Sequence, residues 1–389
     1  MPKLSVKDLD LKGKRVFIRV DFNVPLANGG QEITSDKRIR ASLPTIQYVL
    51  EQGAGLILAS HLGRPKGKPN AEMSMKPVAA KLQELLGKPV ALAPDCVGPE
   101  VEAMLPAPGE VLLLENLRFH KEEEANDPAF SEQLAKLCDV YVNDAFGSAH
   151  RAHASTVGMI HYVGHGAAGL LMDQELKYLG MATTNPERPC IAILGGAKVS
   201  DKIEVIENLS KVVDKVLIGG AMAYTFLKSQ GHATGKSLVE DDKLELAKQL
   251  LADHPGKLVL PVDHVVASEF KAGAEHETVT EIPEDKMALD IGAKTIAEYE
   301  AIIATAKTII WNGPMGVFEM PPFDTGTVAL AKAVANSGAI SVVGGGDSEK
   351  AIKSAGVTSK ISHVSTGGGA SLEFLSGIEL PGVAALTDK

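Results

Sequence analysis

Several residue types and sequence features are scarce in this chain, and each scarcity narrows the class of protein to which the chain can belong. Aromatic residues make up only 4% of the 389 residues, so the cores must be built mostly from aliphatic side chains. The cysteines Cys96, Cys138 and Cys190 are isolated and odd in number, which indicates reduced thiols in a cytoplasmic protein. No apolar run approaches the ~18 residues that span a bilayer, and the first residues lack the apolar core of a signal peptide. We therefore expect no membrane partner.

The composition that is present favours a compact α/β protein of more than one domain. A length of 389 residues is comfortable for two domains. The 38 glycines and 21 prolines occur without a low-complexity tract, so they predict many sharp turns. The formal net charge of −10 argues against a surface that binds nucleic acid over the whole molecule, but it leaves room for a local basic pocket.

Short apolar runs alternate with helical patterns through both halves of the chain. After Pro44, which suits a first helical turn, Ile46, Val49 and Leu50 share one helical face. Near-continuous apolar strands that alternate with helices predict parallel sheets covered on both faces. The apolar runs begin at Val16, Leu56, Val111, Val140, Ile191, Val216, Thr308, Ser341 and Ile361.

A leucine-rich segment separates the two halves. Leu170, Leu171, Leu176 and Leu179 recur at helical spacing, and the pattern stops before Asn185-Pro186. We interpret residues 169–185 as a connecting helix and linker between a first domain, 1–168, and a second, 186–371.

The two halves differ in the residues that follow their strands. Open parallel sheets bind ligands beyond the carboxyl ends of their strands. The second half has glycines there, together with Lys198, Lys202 and Asp347, which suits a phosphate chain held by backbone amides, lysines and a metal ion. The first half has charged and polar residues there, which suits a small anion held by guanidinium groups: Arg19, Asp21, Asn23, Arg38, His61, Arg64, Arg118, His150, Arg151 and His153. Two such domains suggest phosphoryl transfer between two substrates.

Three other patterns are weaker. The segment Gly231-His-Ala-Thr-Gly235-Lys236-Ser237 has three residues between its glycines where a P-loop needs four, and it follows a helical pattern rather than a strand. The histidine pairs His150/His153 and His161/His165 have metal-ligand spacing but no evident third ligand. Residues 122–124, all glutamate, are most simply a solvated loop. No dinucleotide fingerprint is present, which disfavours a dehydrogenase; a two-domain nucleotide- or anion-binding protein without catalysis stays an alternative.

A set of motifs, in order along nearly the whole chain, resembles the phosphoglycerate kinase family. The motifs are Arg19-Val-Asp21-Phe-Asn23-Val-Pro, Ser60-His61-Leu-Gly-Arg64-Pro, Asn143-Asp-Ala-Phe-Gly-Ser-Ala-His-Arg151-Ala-His, Gly195-Gly-Ala-Lys198-Val-Ser-Asp-Lys202, Trp311-Asn-Gly-Pro314, Gly344-Gly-Gly-Asp347 and Thr366-Gly-Gly-Gly369. The resemblance implies two Rossmann-like, three-layer (αβα) lobes with mostly parallel sheets, joined by a helix and hinge. It also implies that residues 372–389 pack back onto the first lobe.

The resemblance implies a reaction and its ligands. The first lobe would bind 3-phosphoglycerate or 1,3-bisphosphoglycerate through Asp21, Phe22, Asn23, Arg38, His61, Leu62, Gly63, Arg64, Arg118, Arg151 and His153. The second would bind Mg-ATP or Mg-ADP through Lys198, Lys202, Gly219, Gly220, Asn312, Gly313, Pro314, Glu319, Gly345, Gly346, Asp347 and Ser348. Asp347 would be the Mg²⁺ ligand, and the catalytic groups would be Arg38, Lys198 and the amides of Gly345 and Gly368. The family is typically monomeric.

The chemistry of that reaction predicts a mechanism without a general base, because the acceptor carboxylate is already ionised at neutral pH. Catalysis would consist of aligning the substrates, neutralising the charge on the moving phosphoryl group, and closing the lobes to exclude water. Ser148 and Ser348 stand where the family usually has threonine; both keep the hydroxyl, so we expect small effects on affinity.

Overall fold

The computed structural model describes residues 2–389. Contacts within the chain divide it into two compact units, one formed by the residues up to Leu176 together with Glu379–Lys389, the other by Lys177–Ile378. This division falls inside one helix, Leu170–Thr184. The domain limits inferred from the sequence, at 168/169, 185/186 and 371/372, stay predictions.

The first unit is built on a six-stranded sheet in the order β5-β6-β4-β1-β7-β8, and every pair in it is parallel. Its strands are β1 Arg15–Arg19, β4 Gly55–Ala59, β5 Ala91–Leu92, β6 Val111–Leu113, β7 Val140–Asn143 and β8 Ala167–Ala168, with a short antiparallel hairpin of β2 Leu26–Ala27 and β3 Glu32–Ile33. Its helices are α1 Lys37–Glu51, α2 Lys76–Leu86, α3 Pro99–Glu102, α4 Lys121–Glu124, α5 Pro128–Ala135, α6 Met159–Val163, the first part of α7 Leu170–Thr184, and, near the C-terminus, α15 Pro381–Ala384.

Helix α1 begins earlier than the sequence predicts. Pro44 lies inside the helix rather than in its first turn. The proline and Arg40, whose carbonyl loses its intrahelical donor, are both exposed, so water can satisfy that carbonyl. Because the helix starts at Lys37, Arg38 lies in its first turn, close to the end of β1.

The C-terminal residues pack against the first unit. Leu4 N donates to Thr387 O at 2.7 Å, and Gly382 N donates to Ala149 O at 2.7 Å. A Cβ at Gly382 would lie 2.8 Å from the Cα of Ala149, so only glycine allows this close approach.

The second unit repeats the six-stranded parallel format in the order β11-β10-β9-β15-β16-β17. Its strands are β9 Cys190–Leu194, β10 Lys215–Ile218, β11 Leu258–Val259, β15 Thr308–Asn312, β16 Ile340–Gly344 and β17 His363–Val364. A separate antiparallel sheet, β13-β12-β14, consists of β12 His264–Ala267, β13 His276–Val279 and β14 Met287–Ile291. The helices are α8 Ile203–Leu209, α9 Met222–Ser229, α10 Leu244–Asp253, α11 Ala293–Ile303, α12 Thr325–Asn336, α13 Gly346–Ser354 and α14 Gly369–Leu375.

The prediction of an α/β protein with two domains of mostly parallel sheet is confirmed. Central strands β4, β9 and β15 are buried along their whole length, as expected where helices cover both faces. The antiparallel sheet was missed because β13 is largely exposed and carries no apolar alternation. Within residues 2–389, no helix is both long and apolar enough to cross a membrane.

Candidate active site

The loops at the carboxyl ends of β1, β4 and β6 bring cationic side chains together in the first unit, and this cluster is called the cationic pocket. Arg19, the last residue of β1, is completely buried. Its Nε donates to Ser155 Oγ at 2.8 Å, and one of its terminal nitrogens lies 3.1 Å from Nδ1 of His61, which follows β4. Burial, and then the positive charge of Arg19, hold the pKa of His61 well below its ordinary value. His61 is therefore a neutral imidazole at pH 7, oriented by a buried guanidinium.

The buried carboxylate of Glu123 supports this arrangement through Ser155, which also accepts a hydrogen bond from Arg19. Glu123 is completely buried and accepts hydrogen bonds from Ser155 N at 3.0 Å and Ser155 Oγ at 2.5 Å. Tyr141 Oη donates to Ser155 O at 2.7 Å. Burial raises the pKa of Glu123, whereas Arg19 acts in the opposite direction. The interpretation of residues 122–124 as a solvated loop is wrong, because they lie in helix α4 and Glu123 is buried. A run of acids gives no sequence signal for which one is buried.

Hydrogen bonds through Asn116 join the loops that carry the predicted substrate residues. Asn116 Oδ1 accepts from Arg118 N at 3.0 Å, and its Nδ2 donates to Leu62 O at 2.7 Å. Arg118 donates to Gly63 O at 3.2 Å, and Gly63 N donates to Asn23 Oδ1 at 2.8 Å. The loops that follow β1, β4 and β6 are therefore one connected unit. Asn116 was missed because an asparagine in a turn is too common to be informative.

The cationic groups of this pocket are only partly compensated by acidic side chains: Arg118 Nε lies 3.7 Å from Glu124 Oε1. Burial, and then Arg118 and Arg19, lower the pKa of His153 to about 4. Arg118 has its own pKa lowered by burial, with Arg64 among the cations that contribute. His153 Nδ1 is buried and has no hydrogen-bond partner among residues 2–389. Cations held this close, in excess of the nearby carboxylates, can attract an anion.

The remaining predicted substrate residues lie around this pocket. Arg38 forms an ion pair with Asp21. Arg64 and Arg151 are exposed. Phe22 and Leu62 have buried side chains, so only their backbone can face a ligand. Asn23 and Gly63 bond to each other, as described above.

In the second unit, the strand order changes direction between β9 and β15, and the loops after these strands touch. A Cβ on Gly195 would lie 1.9 Å from Pro314 O, and a Cβ on Gly313, at φ +96°, would lie 2.2 Å from Gly195 O. Gly220, at φ +70° after β10, also comes close to Gly196, with 2.5 Å from its ideal Cβ to Gly196 N. The glycines are needed where backbones meet at the ligand-binding edge of the sheet.

Two cavities adjoin this edge and share part of their lining. One, of about 490 Å³, is lined largely by glycine loops and lysines: Gly195, Gly196, Lys198, Lys202, Asn312, Gly313, Gly345, Gly346, Asp347, Ser348 and Gly368 among them. The other, of about 600 Å³, is more apolar and is lined by Gly220, Tyr224, Leu238, Val239, Phe270, Met287, Leu289, Pro314, Val317, Glu319 and Asp347 among others. A polar cavity beside an apolar one suits the phosphates and the base of a nucleotide.

Lys202 and Asn312 connect the strand ends of the polar cavity. Burial lowers the pKa of Lys202 to about 8, and its ammonium group donates to Asn312 Oδ1. Asn312 Nδ2 donates to Gly344 O at 2.9 Å, which joins β15 to β16. Asn312 is therefore a structural connector as well as a lining residue.

Residues 341–352, the corner predicted to hold phosphate and metal, form the end of β16, Gly345 at φ +94°, and the start of α13. The Asp347 side chain is 58% exposed and pairs with Lys350 at 3.0 Å. Ser348 is completely buried, and its Oγ accepts from Gly313 N at 2.7 Å. Asp347 thus presents a hard oxygen ligand to the cavity, as Mg²⁺ on a phosphate chain requires, whereas Ser348 ties α13 to the loop after β15.

Several residues that line the apolar cavity were not identified from the sequence. Phe270, Met287 and Leu289 come from the antiparallel sheet and its connections, where no motif marks them. The P-loop-like segment lies here too. It follows α9 rather than a strand, as predicted, and Ser237 Oγ accepts from Ala288 N at 2.9 Å.

An arginine-rich cluster on one α/β unit and a cavity lined by glycines and lysines on another are the features of a two-domain phosphotransferase. The phosphoglycerate kinase family model matches residues 6–378. The chain is 76% identical to a phosphoglycerate kinase of Solibacter usitatus, with 99% of this chain and 100% of that protein covered. It is 62% identical to the phosphoglycerate kinase of Koribacter versatilis, with 100% of both chains covered.

A solved structure agrees with these sequence matches. The phosphoglycerate kinase of Coxiella burnetii superposes with a TM-score of 0.92 at 44% identity, covering 99% of this chain and 98% of that one. The chain therefore belongs to the phosphoglycerate kinase family and is an enzyme of the kinase class.

Proposed function

We propose that this enzyme catalyses the reversible transfer of a phosphoryl group between ATP and the carboxylate of 3-phosphoglycerate, giving ADP and 1,3-bisphosphoglycerate. The observation that carries the proposal is that one unit has an arginine-rich pocket at its strand ends and the other has a glycine-lined cavity at its strand ends. The family to which the chain belongs supports the same reaction.

The cationic pocket is proposed to bind the phosphoglycerate. Arg38, Arg64, Arg118 and Arg151 provide guanidinium groups for its phosphate and carboxylate. The neutral histidines, His61 and His153, whose pKa values are lowered by burial and by neighbouring arginines, contribute hydrogen bonds rather than charge. Asp21, Asn23 and the backbone of residues 22, 62 and 63 complete the site.

The two cavities of the second unit are proposed to bind the nucleotide. Lys198 and Lys202 contact phosphates, the loops of Gly219–Gly220 and residues 312–314 line the nucleoside, and Glu319 reaches the ribose. Asp347 is proposed to hold Mg²⁺, and the amides of Gly345 and Gly346 hold the phosphate tail. Bound Mg²⁺ would neutralise charge on the phosphate chain.

Catalysis is proposed to need no general base. The charge on the phosphoryl group during its transfer is stabilised by Lys198, Arg38 and the amides of Gly345 and Gly368. Ser348, which is already bonded to Gly313 N, shapes the corner and is proposed to contact phosphate only through its backbone. Closure about α7 would bring the reactants together and exclude water. A radius of gyration that both substrates leave unchanged in solution scattering would contradict closure. We further propose a cytoplasmic monomer.

A coupled assay with Mg-ATP and 3-phosphoglycerate tests the function directly. Turnover is expected for the wild type. In Lys198→Ala and Arg38→Ala, kcat should fall about 100-fold or more with a smaller change in KM, because each removes a charge that acts mainly in the transition state. Lys248→Ala and Arg40→Ala, both exposed, are matched controls. Binding of both ligands without turnover by the folded wild type would favour the non-catalytic alternative and overturn the proposal.

A further inference from the structure

A group of metal-ligand side chains lies beside the cationic pocket but takes no part in it. Asp95 and Cys96 come from the turn that follows β5, and His120 follows the 3-10 turn that carries Arg118. One ligand atom from each of these side chains lies within 4.8 Å of the other two. Asp95 Oδ1 lies 2.5 Å from His120 Nε2 and also accepts from Cys96 N at 2.6 Å.

The surroundings hold this group in place. The His120 ring stacks on Phe130 with its centroid 5.0 Å from that ring, and His120 N donates to Leu117 O at 3.2 Å. Cys96 is completely buried, and its thiol donates to Glu115 O at 3.0 Å. The Asp95 side chain is half exposed, and a quarter of the His120 side chain is exposed. The group therefore has a buried sulfur at its base and an opening to solvent on the carboxylate side.

We propose that Asp95, Cys96 and His120 form a binding site for a borderline-soft divalent cation, Zn²⁺ in the first instance, with water as the fourth ligand. Thiolate and imidazole select such a cation and disfavour Mg²⁺. Tetrahedral Zn²⁺ places its ligand atoms about 3.3–3.7 Å apart. Asp95 and His120 are now closer than that, so the carboxylate must swing outward, which its exposure permits.

Binding would release the Cys96 thiol proton to solvent, leaving a Zn–S bond in place of the S–H bond, and would require His120 as a neutral imidazole whose coordinating nitrogen carries no proton, so affinity rises with pH. The same group is unsuited to nucleophilic catalysis. Because Cys96 is completely buried, a substrate-sized molecule cannot reach its sulfur, whereas a cation can approach from the open carboxylate side. A cation here would clamp the turn after β5 to the turn that carries Arg118, which makes it a structural ion for the substrate pocket.

Co²⁺ is the probe for the test, because a cobalt–thiolate bond has a near-ultraviolet charge-transfer absorption. The full-length protein, freed of metal and kept in excess Mg²⁺ to occupy oxygen-ligand sites, should bind one Co²⁺ per chain with this absorption, and Zn²⁺ should displace it. Cys96→Ser should abolish the absorption. Cys138→Ser, in a second buried cysteine outside the group, should leave it unchanged.

Two more substitutions distinguish loss of the site from a folding defect and from adventitious metal binding elsewhere. Asp95→Asn, at a half-exposed position, should weaken Zn²⁺ binding by about tenfold or more while the circular dichroism spectrum stays native. His161→Gln alters the pair of histidines spaced four apart on the chain. The proposal is overturned if the wild type shows no charge-transfer absorption, if Cys96→Ser or Asp95→Asn leaves binding intact, or if only His161→Gln reduces Co²⁺ uptake.

Discussion

Lys202 should take up a proton when the nucleotide binds. Burial lowers its pKa from 10.5 to about 8, which corresponds to about 3 kcal/mol. The free protein would hold the ammonium form in about half of the molecules at pH 8 and about a tenth at pH 9. A bound phosphate chain favours the charged form. If it restores the ordinary pKa, proton uptake is about 0.5 per ADP at pH 8 and about 0.9 at pH 9.

Isothermal titration calorimetry in buffers of different ionisation enthalpy measures this uptake directly. Both pH values lie well above the phosphate pKa of ~6, so the nucleotide itself no longer titrates. Lys202→Arg is the matched variant, because guanidinium stays charged and should bind without uptake. A wild-type enthalpy that does not depend on the buffer, or equal uptake by Lys202→Arg, would refute the reasoning.

The same shift has a consequence for stability. Because the folded-state pKa of Lys202 is lowered, the unfolded chain binds more protons between pH 8 and 10.5. The energetic cost of the buried ammonium is therefore fully present below pH 8 and is relieved as the pH rises to 10.5. This contribution to the free energy of unfolding should disappear in Lys202→Met.

Two further predictions concern the architecture of the two pockets. Glu123→Gln places an amide nitrogen against a donor of Ser155, so urea denaturation should show a loss of about 1–3 kcal/mol, with a raised KM for phosphoglycerate; equal effects from Glu122→Gln would contradict the role of burial. Gly195→Ala drives a Cβ to within 1.9 Å of Pro314 O and should destabilise the second unit by about 1–3 kcal/mol or more; Gly180→Ala, in open space on α7, should not destabilise, and a similar loss there would contradict the steric argument.

The ends of strands could be predicted from the sequence because the residues that mark them are adjacent in the chain. An apolar run that stops at Gly344 and continues with Asp347 implies a strand, a turn and a helix start, and β16 and α13 confirm it. The start of α1 was predicted wrongly, because Pro44 is a legitimate first-turn signal. Its tolerance inside the helix depends on exposure, which the sequence pattern does not report.

Which member of a run of identical residues is buried could not be predicted from the sequence. Glu123 is indistinguishable from its neighbours in the sequence, yet it alone of residues 122–124 is buried, beneath Arg19 and bonded to Ser155. The apolar cavity of the second unit could not be predicted for a similar reason. Its walls come from short strands and loops far apart along the chain, such as those of Phe270 and Leu289, and no spacing rule connects them.

By itself, the sequence determined the class of the fold and predicted most of the residues that line the proposed substrate sites, because parallel strands bring the residues after them to one edge. Only the tertiary structure decided how those groups are held and charged. Desolvation and neighbouring charge set the protonation of His61, His153 and Lys202. Gly195 and Gly313 must be glycine because their two backbones approach each other too closely for a Cβ. Both effects depend on distances between segments that are remote in the chain.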